Sequence, residues 1–412
     1  MTDLVAPEAV KASDNGDDGR GYGRRSGTFD EDLTRVGPGT PAGELFRRYW
    51  LPFATAAELG ARPVRLRILG EDLVAFRDGT GTPGLLQERC MHRGTSLYYG
   101  KTESAGIRCC HHGWLYDVEG RCLEQPCEAS QGKRLEKFRQ PWYPVQERYG
   151  LAFTYLGPAE HQPLLPRYDV LELDEAGYSL FVDAATPYRT TTGVPNPAPY
   201  NWLQMNESGM DAAHVEILHG NMGGAKHSDD EVPKPTIDYA ITSAGMQYTA
   251  RRQRADGVIM LRVYENFLPS VHVGGNPVLA DLSRSAIISW HVPVDDYGVR
   301  SFSVMRLPTP DVQALADGSW TAKMMGNTWR ERSDEERQDN PGDYEAQVSQ
   351  GPITLHSEEH LVSSDRGVII WRKLLRESIG AIQDGRPPQN VFFDDNHGTV
   401  PVLSGNYLER VE

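Results

Sequence analysis

Cysteine is scarce in this chain and tightly confined. Among 412 residues there are five, at positions 90, 109, 110, 122 and 127, and the other 374 positions outside that window have none. A secreted fold stapled by disulfides would spread an even number of cysteines along its length. The confinement points instead to one local thiolate site in a reducing compartment. Basic residues are also under-represented, with 42 Lys and Arg against 57 Asp and Glu and a net charge of −15. Nucleic acid repels such a surface, and no basic stripe interrupts it. No run of about 18 apolar residues exists, so no transmembrane helix is expected. Residues 1–10 carry Asp3 and Glu8 and lack an apolar stretch, so a signal peptide is not expected and a soluble cytoplasmic protein is the default.

What is present divides into segments. Residues 1–37 are rich in Gly, Asp, Arg and Ser, a composition that buries too little apolar surface to order itself, and a flexible arm is expected there. Glu44–Trp50 has helical spacing. Short Gly-punctuated segments at 64–69, 72–77 and 84–89 have strand character. With the apolar segment 150–156 they suggest an antiparallel all-β domain over 38–160, followed by a Pro-rich linker near 157–167. Over 161–412, strand patterns at 180–184, 246–250, 258–264 and 285–292 mix with helical patterns near 201–219, 310–326, 343–350 and 364–382. That mixture predicts an α+β region, an antiparallel sheet packed by helices.

Two motifs carry chemistry. The first reads Cys90-Met-His92-Arg-Gly94, then, counting from His92, sixteen residues, then Cys109-Cys-His-His112-Gly113-Trp114. Two thiolates and two imidazoles make a complete four-ligand set, and each pair lies beside a glycine that lets backbone approach a metal closely. Zinc takes Cys₂His₂, though structural zinc sites space their ligands as C-x₂₋₄-C and H-x₃₋₅-H. A Rieske [2Fe–2S] centre places two Cys on one iron and two His on the other, which suits two loops that each supply one of both. Only Cys109 with His112 gives the x-x spacing, so Cys110 and His111 are neighbours of the site. Cys122 and Cys127 are expected to be small buried or inert thiols.

The second motif lies in residues 201–220, where Asp211, His214 and His219 stand out. Asp211 and His214 share a helical face at i and i+3. His214 and His219 are five apart, which a regular helix separates by about 140°. To aim both at one ion the helix must end, loosen or carry a π-type turn, and Gly220 makes a helix end near His219 the simpler account.

Together the motifs resemble the Rieske non-haem iron oxygenases, in their oxygenase (alpha) component, over about residues 40–380. Cys-Met-His-Arg-Gly followed by Cys-Cys-His-His-Gly-Trp-Leu-Tyr is similar to that family's Rieske domain. Positions 110 and 111 differ from the Pro and Tyr common there. The resemblance implies a [2Fe–2S] cluster on Cys90, His92, Cys109 and His112, and a helix-grip-like catalytic domain over 161–412. It implies mononuclear Fe(II) on His214, His219 and one later carboxylate, with O₂ as co-substrate. The stretch Gly342-Asp-Tyr-Glu-Ala-Gln-Val-Ser-Gln-Gly-Pro-Ile353 is similar to the segment supplying that carboxylate in the phthalate dioxygenase and aryl-ether O-demethylase branch. It points to Asp343, with Glu345 and Asp365 as alternatives. Against this, Asp343 after Pro341-Gly342 also suits a helix N-cap.

By the same resemblance, Asp211 bridges a Rieske histidine of one subunit and an iron-ligand histidine of the next. That implies a head-to-tail ring, commonly a homotrimer. Locally, Asp211 could equally fix His214 as a hydrogen-bond acceptor. No dinucleotide fingerprint follows a strand here, so electrons from NAD(P)H are expected through a separate reductase, with or without a ferredoxin. The implied reaction is hydroxylation of an aromatic substrate. O-demethylation of a methoxylated aromatic acid is the leading form, and ring dihydroxylation of a phthalate-like carboxylate is the alternative. Arg251, Arg252 and Arg262 are candidates to meet a substrate carboxylate. An electron carrier built on the Rieske domain alone, or a zinc protein, are the more distant alternatives.

Protein purified anaerobically is expected to be red-brown with about three irons per chain, two from the cluster and one mononuclear. Absorption spectra and metal analysis check this, and a colourless zinc-loaded protein would contradict it.

Overall fold

A computed structural model describes residues 26–60, 62–129, 132–184, 196–219, 235–253, 257–274, 282–285, 287–316, 333–394 and 399–410. The N-terminal half follows its glycine punctuation into three small antiparallel sheets. Trp50–Thr55, Leu151–Tyr155 and Val145–Arg148 form the first. Val64–Ile68, Glu71–Arg77, Pro83–Gln87 and Trp142–Tyr143 form the second. Lys101–Glu103, Gly106–Arg108, Leu115–Tyr116 and Cys122–Glu124 form the third. Helical spacing at 44–50 is realised only in part. The helix runs Pro41–Phe46, capped by Thr40, and Trp50 opens a strand instead.

Two other expectations change. Of the arm expected over 1–37, residues 1–25 lie outside the described residues, whereas 26–37 are docked. Asp30 caps a short helix, Glu31–Thr34, and Leu33 and Val36 are fully buried. Arg35 pairs with Asp296 at 2.7 Å and Arg376 with Asp30 at 2.6 Å. Two apolar residues and a cap anchor a segment whose average composition resembles disorder. The expected linker is pinned as well. The Trp50 indole N–H donates to Pro163 O at 2.7 Å, and Leu164 N to Phe392 O at 2.7 Å.

The C-terminal half is built on one eight-stranded antiparallel sheet. Its order is Tyr178–Asp183, Gly298–Pro308, Ile287–Asp295, Val271–Val273, Val258–Phe267, Gly245–Gln253, Thr236–Ile241, and Gly405–Arg410 also pairs with Val258–Phe267. The helices Trp202–Ser208 and Arg366–Gln383 pack on it. On the latter, Trp371, Leu374, Leu375 and Ile379 form one buried stripe at helical spacing. Along Gly245–Gln253 buried residues alternate with more exposed ones, as a strand with one covered face requires. The 310–326 helical pattern gives a helix at Thr309–Ala316, and residues 317–332 lie outside the described residues.

Asn201 fixes the helix that leads to the second motif. Its carbonyl oxygen caps Leu203 N at 3.0 Å, while its amide donates to Thr34 O at 2.9 Å and Asp296 O at 2.7 Å. Asn201→Ala removes the cap and orphans two carbonyls. It should lower stability by roughly 2–4 kcal/mol, read as a lower urea midpoint.

Candidate metal centres

The first motif folds into two matching loops. Each spans six residues between paired positions, 90–95 between Arg89 and Ser96, and 109–114 between Arg108 and Leu115. In each, the Cys N–H donates to the carbonyl five residues on, Thr95 or Trp114, both at 2.9 Å. In each, a glycine N–H returns to the Cys carbonyl, from Gly94 at 2.8 Å and Gly113 at 3.1 Å. Both glycines have positive φ, +76° and +72°, which a side chain would oppose. A Cβ on Gly113 would also lie 2.6 Å from Pro126.

These loops sort the donors by depth. Cys90 and Cys109 are 2% and 3% exposed and sit in a small separate core with Val74, Leu86, Ile107, Trp114 and Tyr116. His92 is exposed and His112 half-buried, with ring centroids 4.6 Å apart. His92 stacks on Trp114 at 4.5 Å. The facing thiols influence each other. The hydrogen bond from Cys109 holds Cys90 down at about 6, while Cys109 itself is pushed up. Among the described residues no three His, Cys, Asp or Glu side chains converge closely enough to grip one ion. The four donors thus form a thiol pair below and an imidazole pair above. That division suits two irons bridged by sulfide better than one zinc.

Several supporting groups have no signal in motif spacing. The Tyr116 hydroxyl lies 3.1 Å from Cys90 Sγ. Buried Gln140 accepts from Met91 N at 2.7 Å and donates to Gln87 O and Arg89 O, propping the first loop. Trp114 and Tyr116 stand inside the motif, but only the fold shows what they touch. His111 Nδ1 lies 2.9 Å from Thr95 Oγ1 and so links the loops, and Cys110 is exposed. Cys122 is buried as expected, but Cys127 is exposed, with its Sγ donating to His112 O at 3.5 Å.

The second motif follows the Trp202–Ser208 helix. Asp211 caps the short helix Ala212–His214, its Oδ1 accepting from Ala213 N at 3.0 Å and His214 N at 3.2 Å. His214 Nδ1 lies 2.5 Å from Asp211 O and 3.6 Å from its carboxylate. The opposite ring nitrogen, Nε2, lies 3.5 Å from Asp343 Oδ1. Two donors about 2.1 Å from one metal sit roughly 3 Å apart, so this spacing fits a shared ion. Burial opposes charge on His214, yet Asp211 and Asp343 outweigh it and push the ring up to about 10. The electrostatics favour a cation at Nε2.

At His219 one of the alternatives, a π-type turn, is realised, while the helix end expected at Gly220 falls outside the described residues. The structure shows a π-helical turn, Val215–His219. Its i→i+5 repeat brings position 219 one turn beyond position 214, which a regular helix does not do. The His219 side chain and Gly220 lie outside the described residues. Asp343 is the first residue of the helix Asp343–Val348, whose N-cap is Gly342, so the capping alternative for Asp343 does not hold. Glu345 closes back on Gly342 N at 2.8 Å and pairs with Arg337, and Asp365 accepts from Val362 N at 2.7 Å.

Register separates the arginine candidates. Arg251 faces outward, paired with Asp238 and Glu409. Arg252 and Arg262 are buried on the inner face, where Tyr248 stacks on Tyr264 at 5.4 Å. Burial pushes Tyr264 up to about 12, with the Asp343 charge adding to it.

Residues 49–144 match the Rieske [2Fe-2S] domain family. Over 394 residues the chain is 45% identical to the phenoxybenzoate dioxygenase subunit alpha of Ectopseudomonas oleovorans, covering 94% of both chains. It belongs to the Rieske oxygenase alpha subunits. A second relative is the tert-butanol monooxygenase / tert-amyl alcohol desaturase oxygenase subunit of Aquincola tertiaricarbonis, 38% identical, covering 92% of this chain and 83% of that one. A third is the 5,5'-dehydrodivanillate O-demethylase oxygenase subunit of Sphingobium, 29% identical, covering 88% and 82%. Among solved structures, a fluorene-bound oxygenase–ferredoxin complex of carbazole 1,9a-dioxygenase shares the fold, with a TM-score of 0.58 and 21% identity over 87% of this chain and 98% of that one. The Rieske oxygenase therefore carries its cluster domain first and its antiparallel sheet second. Among the described residues no helix is long and apolar enough to cross a membrane.

A hydrogen bond to a cluster sulfur stabilises the more negative, reduced state. If Cys90 holds the cluster, as its motif predicts, Tyr116→Phe should lower the cluster midpoint potential by on the order of tens of millivolts, measured by redox titration of its visible absorption.

Proposed function

We propose that this oxygenase component uses O₂ and electrons from a separate NAD(P)H-dependent reductase to hydroxylate an aromatic carboxylate. Cys90, His92, Cys109 and His112 would hold the cluster, which supplies single electrons. His214, His219 and Asp343 would hold an iron, which would supply the activation of O₂. The observation that carries the reading is the approach of His214 Nε2 to Asp343, with Asp211 steadying the opposite ring nitrogen. A proton held on Nδ1 leaves the Nε2 lone pair for a metal.

The substrate class rests on Arg252 and Arg262. Both are buried on the face that also carries Tyr264. Arg262 lies two residues from Tyr264, about 7 Å along the strand, a distance comparable to a benzoate. An aromatic ring against the tyrosines would set its carboxylate toward the guanidiniums, which favour bidentate contacts. The phenoxybenzoate dioxygenase relative supports an aromatic acid as the substrate of a dioxygenation. The O-demethylase relative supports the second reading, in which a hydroxylated O-methyl group collapses to a phenol and formaldehyde. The alcohol-oxidising relative shows that substrate varies among similar chains. Exposed His92 and half-buried His112 would face Asp211 of a neighbouring chain in a ring, and the solved oxygenase–ferredoxin complex supports a separate electron donor.

Methoxylated and carboxylated aromatics, offered with a surrogate reductase, should separate the two reactions by formaldehyde against ring diol. Arg262→Met should raise KM for an aromatic acid by about 10–100-fold, and change KM for the corresponding amide little. Equal effects on both would remove the carboxylate from the reading. His214→Ala should abolish oxygenation and leave the cluster spectrum intact.

A further inference from the structure

Arg372 lies midway along the Arg366–Gln383 helix and is buried between two carboxylates. Its Nε donates to Glu207 Oε1 at 2.5 Å and one terminal nitrogen to Glu207 Oε2 at 2.8 Å. The terminal nitrogens also reach Glu359, at 2.5 and 2.9 Å. Glu207 is therefore held in a two-point fork, a geometry that lysine cannot copy.

Glu207 is not an arbitrary anchor. Its carbonyl accepts Met210 N at 2.9 Å and Asp211 N at 3.1 Å. Asp211 in turn caps and orients His214. The same long helix touches this turn a second time. A Cβ on Gly367 would lie 2.0 Å from Met210 O, so the two backbones are in direct contact. One rigid helix thus grips the 207–211 segment at two places, Gly367 and Arg372.

We infer that Arg372 is a positioning residue for the mononuclear metal site, acting through Glu207 to set the Met210–His214 turn and the aim of His214 Nε2 toward Asp343. The inference rests on the reading that His214 and Asp343 bind a metal. It goes further by making that site depend on a guanidinium that touches neither ligand. A buried ion pair serving stability alone is often replaceable without loss. An orienting partner of a ligand typically changes metal affinity by about 10–100-fold when removed.

The test uses the full-length protein with its cluster retained and the mononuclear site emptied, titrated with Co(II). His214→Ala should abolish binding at this site. Arg372→Lys and Glu207→Gln should each weaken Co(II) by about 10–100-fold with the cluster absorption unchanged. Glu359→Gln keeps the Arg372–Glu207 fork and should bind near wild type. Amide exchange at Asp211 should quicken in Arg372→Lys. If Arg372→Lys does not fold, Glu207→Gln carries the comparison. Wild-type Co(II) affinity in these variants, or a lowered melting temperature without a change in affinity, overturns the inference. Equal loss in Glu359→Gln overturns the route through Glu207. Wild-type affinity in His214→Ala instead overturns the metal-site reading beneath it.

Discussion

Everything around the second motif depends on how the Trp202–Ser208 helix begins, and one amide decides that. Asn201 caps the helix with its oxygen and holds two carbonyls from distant segments with its nitrogen. One carbonyl belongs to the N-terminal segment and the other to the turn that follows Ile287–Asp295. Losing either bond would bury an unsatisfied carbonyl, at about 1–3 kcal/mol each. The helix is short and stiff, about 10 Å long, so its start largely sets its end. Trp202 adds an apolar lock, meeting Phe46 edge-on at 4.7 Å. The N-terminal half and the sheet are joined at the element that delivers Glu207, Asp211 and His214.

The first motif is organised on another principle. Two loops with the same hydrogen bonds present their donors at two depths. Thiols face a small apolar core, and imidazoles face outward. The buried side shields the sulfurs from water and oxidants. The outer side leaves the imidazoles within reach of the surface.

Much of this is legible in the residues alone. Cys90, His92, Cys109 and His112 stand out because ligand chemistry permits few residue types and the loops permit few spacings. The strands at 64–69, 246–250 and 258–264 are legible from alternation and apolar content. Other features require the fold. Whether Arg251 or Arg252 faces inward depends on register, since adjacent strand residues point to opposite faces. Docking of residues 26–37 rests on Leu33 and Val36, two apolar side chains whose weight is lost in a composition average. Pairing of Glu207 with Arg372 spans 165 positions, and no local pattern announces it. The choice between a helix end and a π turn at 215–219 is open in sequence because both satisfy a five-residue spacing.

That π turn has a consequence for local stability. An i→i+5 turn is rare and less regular than its surroundings, so it is a natural place for the chain to open. A ligand joining position 214 to position 219 would bridge one such turn end to end. Its binding free energy would also be free energy for closing the turn. If the proposed metal binds there, losing it would loosen the same turn. Order in this turn and occupancy of the proposed site would then rise and fall together.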